Sequence, residues 1–350
     1  MTANDIDSRS PRAGLSILGC VLFAGALFGA PFLREADAES FDGEDWRRAE
    51  TDYPFLEDLG YTEEQLEIEL AGPIAEGRER YFGLDSEWLI ERDLLDHARL
   101  DPGRIVFELH CAGCHGTEGD GAGPAARHLD PRPRNFRLGI FKFTSTENGQ
   151  KPLHRDLLRV VDEGLKGSAM PSFFLLSREK QRDVVEYVRY LSMQGEFERI
   201  ALDIAWEDEE VPDMEMVANI VARGWEPEGQ VTVYPSASEP ERDEGSIALG
   251  RELFLGLDRT NCAACHGETG RGDGPTALDY TDEWGYPVVP RDLSAGVFRS
   301  GEDPLGLYLS IATGINGTPM GAFGGSLSGE EIWHLVHFVQ SLAEPQEGND

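Results

Sequence analysis

The sequence predicts an all-α protein of two tandem domains, each about 100 residues long, preceded and joined by acidic segments. Three observations predict it. The pentapeptide Cys-x-x-Cys-His occurs twice, as CAGCH at 111–115 and CAACH at 262–266. Each copy follows a short apolar stripe at helical spacing, and each is followed far downstream by a second, longer stripe. The stretch between the two stripes is rich in glycine and proline, at offsets that both halves share.

The pentapeptide carries the chemistry. Two thiols three positions apart can each form a thioether to one porphyrin. The histidine that follows then lies under the ring and supplies a nitrogen to iron. A single copy also reads as a zinc site or a disulfide pair, but two copies with one continuation point to covalent haem. The candidate attachment residues are therefore Cys111, Cys114, Cys262 and Cys265, and the candidate proximal ligands are His115 and His266. Two haem c groups are expected.

After His115 come Gly116, Gly119, Gly121, Gly123 and Pro124. After His266 come Gly267, Gly270, Gly272, Gly274 and Pro275 at the same offsets. Glycine at this density prevents a helix and lets backbone run close to a flat ligand. With this continuation the chain resembles the class I cytochrome c family, in two tandem copies of its C-x-x-C-H-G-x-x-G-x-G-x-G-P variety. The resemblance covers roughly 99–200 and 244–343, and it implies an electron carrier rather than an enzyme.

Taken in order, residues 14–33 carry no charge. At about 1.5 Å per residue such a run spans roughly 30 Å as a helix. It reads as a membrane anchor or a secretory signal within 1–38, the A-x-A at 36–38 being a candidate cleavage site. Either places the rest on the outer face of a membrane, in the periplasm or anchored there. Residues 39–98 form an acidic arm. Within it, Ile74, Ala75, Gly77, Arg78, Glu79, Gly83, Leu84 and Asp85 repeat as Ile247, Ala248, Gly250, Arg251, Glu252, Gly256, Leu257 and Asp258. Two readings stand: a duplicated first helix packed as an extra arm, or chance likeness between helix starts.

Domain one covers 99–202 and domain two 244–343. In each, a Pro-Arg pair precedes a repeated loop, and Arg134 and Arg291 are candidate partners for a haem propionate, because guanidinium matches carboxylate. The alternative is an ordinary solvated arginine. Domain two approaches this loop through a longer segment with Tyr280, Trp284 and Tyr286, read as covering the haem edge. Met170 follows His115 by 55 residues and Met320 follows His266 by 54. A methionine flanked by glycine and proline fills a core poorly, whereas a thioether is a good soft ligand. The family resemblance implies the same two residues as sixth ligands. His97, His110, His128, His154, His334 and His337 are competing ligands that read better as surface or packing residues. Ser177 opens one closing helix. Ser328 with Glu331 forms a capping box opening the other. Residues 203–243 read as an extended linker and 344–350 as a tail.

The formal net charge is −34, from 65 acidic and 31 basic residues. That balance excludes nucleic acid and anionic lipid as natural partners. It suits a redox protein with a basic docking face, with solubility as the plainer account. The expected function is a dihaem carrier relaying single electrons between respiratory-type partners. The alternatives are a dihaem peroxidase-like enzyme and a haem-bearing docking subunit of a membrane redox complex.

Overall fold

The computed structural model describes residues 70–208, 210–301 and 303–343. The apolar segment at 14–33, the first part of the acidic arm and the tail lie outside the described residues. Within them the chain forms helices and turns, with no strand and two isolated β-bridges. The helices are α1 (Gly72–Phe82), α2 (Glu87–Glu91), α3 (Leu100–His110), α4 (Ala112–His115), α5 (His154–Glu163), α6 (Arg178–Asp208), α7 (Met214–Trp225), α8 (Glu244–Leu255), α9 (Ala263–His266), α10 (Pro304–Thr313) and α11 (Gly329–Ser341). None of the described helices is long and apolar enough to cross a membrane.

Each domain is organised by one crossing. α3 crosses α6 where Gly103 faces the Asp183 carbonyl, and α8 crosses α11 where Gly250 faces the His334 carbonyl. Without side chains at these points the backbones close up. One turn further on, Phe107 packs on Tyr187 at 5.5 Å between ring centroids, and Phe254 on Phe338 at 5.2 Å. Val184, Val188 and Leu191 complete the first core and Ile332, Val336 and Val339 the second.

The helix starts follow local chemistry. Ser328 Oγ accepts from the Glu331 amide at 3.2 Å, and the Glu331 carboxylate accepts from the Ser328 amide at 2.8 Å, which closes the expected capping box. Asp243 caps α8, and Asp303 caps α10 ahead of Pro304. Ser177 Oγ accepts from the Lys180 amide at the start of α6.

Two segments differ from expectation. α6 runs for 31 residues, well past the expected domain end at 202. α7 follows it, and its Val217, Ala218, Val221, Ala222 and Trp225 are buried in the core of domain one. The stretch 203–243 is therefore not an extended linker throughout. Only its second part runs extended: Thr232 bridges Thr146 of domain one, and further on Trp333 Nε1 of domain two donates to the Ala237 carbonyl at 2.9 Å. The acidic residues and Pro212 ahead of α7 hid an apolar stripe of helical period.

The repeated segment of the arm forms α1, which packs on the second half of α6. A side chain at Gly77 would meet Phe197 and Met214, and Arg78 pairs with Glu198 at 2.6 Å. Gly77 faces the side chains of Phe197 on α6 and Met214 on α7, whereas Gly103 of α3 meets the α6 backbone itself, so the packing of α1 does not repeat the crossing of α3.

Candidate functional site

The two motifs sit on one-turn helices, α4 and α9, wrapped by the same backbone frame. Gly121 N donates to the His115 carbonyl and Gly272 N to the His266 carbonyl, both at 2.8 Å. Phe136 N donates to the Gly119 carbonyl and Leu293 N to the Gly270 carbonyl, both at 2.7 Å. Gly121 and Gly272 have φ of +78° and +76°, and a side chain there would strike the carbonyls of Pro133 and Pro290. What the glycines approach closely is the Pro-Arg loop, which they press against the motif. The four motif cysteines are free thiols, not a disulfide pair, and burial pushes the Cys111 thiol up to about 12.

The histidine geometry is informative. His115 Nδ1 lies 2.9 Å from the Arg134 carbonyl oxygen. A carbonyl only accepts, so Nδ1 carries the proton and Nε2 keeps its lone pair. Burial lowers the His115 pKa and keeps the ring neutral, as a metal ligand must be. Phe136 stacks on the ring at 4.6 Å and fixes its plane. In domain two, His266 Nδ1 is buried beside the Arg291 carbonyl without a hydrogen bond of normal geometry. Burial lowers its pKa too.

The two methionine loops are built alike. Ser168 Oγ donates to the Leu165 carbonyl and Thr318 Oγ1 to the Ile315 carbonyl, both at 2.7 Å. Leu165 N donates to the Met170 carbonyl at 3.1 Å and Ile315 N to the Met320 carbonyl at 3.0 Å. Each methionine therefore sits on a rigid turn, held by a hydroxyl two residues before it.

In domain two these parts enclose one cavity of about 320 Å³, lined by Cys262, Cys265, His266, Arg291 and Met320. Two thiols, a neutral imidazole and a thioether line one space whose apolar walls include Phe254, Leu335 and Val339, with the cations Lys142, Arg291 and Arg299 also on its lining. That donor set fits a haem held by two thioethers. Domain one repeats the frame around Cys111, Cys114, His115 and Met170. His334 and His337 instead share the Ser246 hydroxyl, at 2.7 and 2.6 Å, and His154 meets Glu186.

The two arginines behave differently. Arg291 lines the cavity, donates from Nε to the Val297 carbonyl at 3.1 Å, and reaches the Gly167 carbonyl of the domain-one methionine loop at 3.4 Å. Arg134 lays its guanidinium 3.4 Å from the centroid of the Trp284 ring. Trp284 Nε1 donates to the Asn135 carbonyl at 3.2 Å. Trp284, read as covering the haem edge, docks on Arg134 and Asn135 of domain one while also lying against Gly317 of its own domain's methionine loop. Tyr280 does line the domain-two cavity.

Sequence reasoning missed Lys142 and Arg299. Lys142 belongs to domain one, yet it lines the domain-two cavity together with Phe143 and Arg299. Its Nζ bonds Asp282 at 3.1 Å. No local pattern marks a residue that acts across a domain boundary. The repeat itself held a partial signal, since Arg299 follows the aligned Phe298 as Lys142 follows Phe141.

The comparisons agree with this geometry. The chain is similar, at 33% identity, to a solved chain of the Kuenenia stuttgartiensis reducing HAO-like protein complex Kustc0457/Kustc0458. The match covers 70% of this chain and 96% of that one, with a TM-score of 0.56. No curated protein matches the chain. The model of the cytochrome c family matches residues 100–192 and 247–343, together more than half of the sequence. Haem-based electron transfer goes with those domains, and the chain belongs to the cytochrome c family.

Proposed function

We propose that the protein is a dihaem carrier that passes single electrons between two redox proteins on the outer face of a membrane. The observation that carries this reading is the duplication of a complete site. Each domain presents two cysteines, a histidine and a turn-held methionine in the same hydrogen-bonded frame. A haem bound in each frame supplies one-electron exchange between ferric and ferrous iron. The chain's own residues do the rest. The carbonyl of Arg134 orients the His115 ring, the apolar walls keep water out, and Met170 and Met320 would each offer a thioether to hold the haem, leaving no site for substrate. A haem held by the same side chains in both oxidation states would rearrange little when an electron arrives.

The acidic surface supports partners with basic docking faces. Around the domain-one site, Leu109, Phe174 and Leu175 are 73%, 67% and 86% exposed and offer an apolar contact within that acidic field. The uncharged run at 14–33 supports attachment to the membrane or export across it. A second reading, a haem-bearing subunit of a larger complex, is favoured by the solved relative, whose name describes a reducing HAO-like protein complex. Native co-purification distinguishes that subunit from a free shuttle.

Carbon monoxide binding to the reduced protein, with haem counted per chain, tests the proposal. Two haems per chain and no binding are expected. Binding at half the haem indicates one open iron, and the carrier reading gives way to a peroxidase-like enzyme.

A further inference from the structure

The two domains meet through the loops that carry their candidate ligands. Gly167, in the Met170 loop, lies against the Arg291 guanidinium. Gly317, in the Met320 loop, lies against Trp284 and Ile140. Asn148 Nδ2 donates to the Thr313 carbonyl, and Gly149 N donates to Asn316 Oδ1, both at 2.9 Å. The junction therefore involves both sites.

Four cations gather at this junction in a chain with twice as many acids as bases. Arg134 and Lys142 come from domain one, Arg291 and Arg299 from domain two. A single carboxylate, Asp282, faces them at bonding distance, and its other oxygen already accepts from the Trp284 and Tyr286 amides. Asp130 adds a weaker attraction for Arg299. The Arg134 guanidinium makes no hydrogen bond among the described residues, only its stack on Trp284. Arg299 Nε is buried and unpartnered. Burial pulls Arg134 down to about 10, with Arg299 adding to the fall and Asp282 opposing it. Burial likewise pulls Lys142 down to about 8, and Arg134 adds to that fall. So many crowded cations with so few anions make a site built for carboxylates that the chain itself does not supply.

We propose that Arg134, Lys142, Arg291 and Arg299 form one shared anion site for the propionates of both haems, and that Lys142 of domain one thereby raises the reduction potential of the domain-two haem. The inference rests on the haem reading above and deepens it. Lys142 is the member that crosses from one domain into the other's cavity. Removing its charge leaves the carboxylates less compensated. That stabilises ferric over ferrous iron and lowers the potential. Removing the Asp282 charge does the opposite.

The test is a spectropotentiometric titration of the full-length haem protein with Lys142→Gln, Lys142→Arg and Asp282→Asn. Met320→Ala, run alongside, marks the domain-two couple as the one it displaces. In Lys142→Gln that couple should fall by roughly a threefold to tenfold change in the ferrous-to-ferric ratio at fixed potential, where tenfold is about 59 mV. Asp282→Asn should raise it, and Lys142→Arg should restore it. A merely structural role would move both substitutions the same way, and that result, or no shift, overturns the proposal with haem content intact at two per chain. A potential in the native protein that follows added sulfate at constant ionic strength also overturns it, in favour of a site for free anions. Haem below two per chain in the native protein overturns the haem reading and this inference with it. If Met320→Ala displaces neither couple, the sixth-ligand assignment fails, while the opposed shifts in Lys142→Gln and Asp282→Asn still decide the anion site.

Discussion

A Cβ placed on Gly250 would lie 1.9 Å from the carbonyl oxygen of His334. The same relationship joins Gly103 to Asp183 in domain one, at 2.1 Å. These contacts are backbone against backbone, so no side-chain rotation relieves them.

Gly250→Ala must therefore separate α8 from α11, and Gly103→Ala must separate α3 from α6. Each should destabilise its domain by about 1–3 kcal/mol, the usual cost of overpacking. Denaturant unfolding followed by haem absorbance measures it. Gly113→Ala is the control: nothing lies within 4 Å of its side-chain position, and the equivalent residue in domain two is Ala264. A loss at Gly113 as large as that at Gly103 would remove the close crossing as the cause.

Met170→Ala and Met320→Ala should each open one iron and leave the other untouched. Half the reduced haem should then bind carbon monoxide, and one of the two potentials should drop, because a thioether ligand favours ferrous iron. The paired turns at Ser168 and Thr318 lead us to expect equal behaviour in the two domains. Absorbance and potential unchanged in either variant would show that the substituted methionine is not a ligand.

The hydrogen bond from Arg259 holds the Glu331 carboxyl down to about 2, with the Ser328 amide assisting. A carboxyl held below its ordinary value of 4.5 stabilises the fold fully above that value, and loses the contribution as pH falls toward 2. Because Arg259 is exposed, solvent screens the pair and the effect should be small. Domain two should lose stability across this window, and Arg259→Gln should lose less. Equal losses in wild type and variant would mean that the pair contributes nothing.

Much of the site was legible in the sequence because it is local and repeated. The cysteines, histidines and glycines lie within one short run, and the methionines sit at matched distances. What was not legible is what forms between distant residues. Trp284 looked like cover for its own haem because its neighbours are aromatic, and only the fold brings it under Arg134. Lys142 has no motif around it. α7 was hidden by composition: its acidic approach outweighed, to the eye, the stripe from Val217 to Trp225. The arm's likeness to the second domain was visible, but which surface α1 packs on was not.

The 31-residue length of α6 sets where domain one can be cut. A fragment ending at residue 202 would sever the helix near Phe197, which packs on Tyr81 and Phe82 of α1. It would also strip away Val217, Ala218, Val221, Ala222 and Trp225 and expose the apolar face they cover. The smallest autonomous piece bearing the first haem motif therefore begins by α1 and ends after α7, at about 160 residues, an ordinary size for an independent domain.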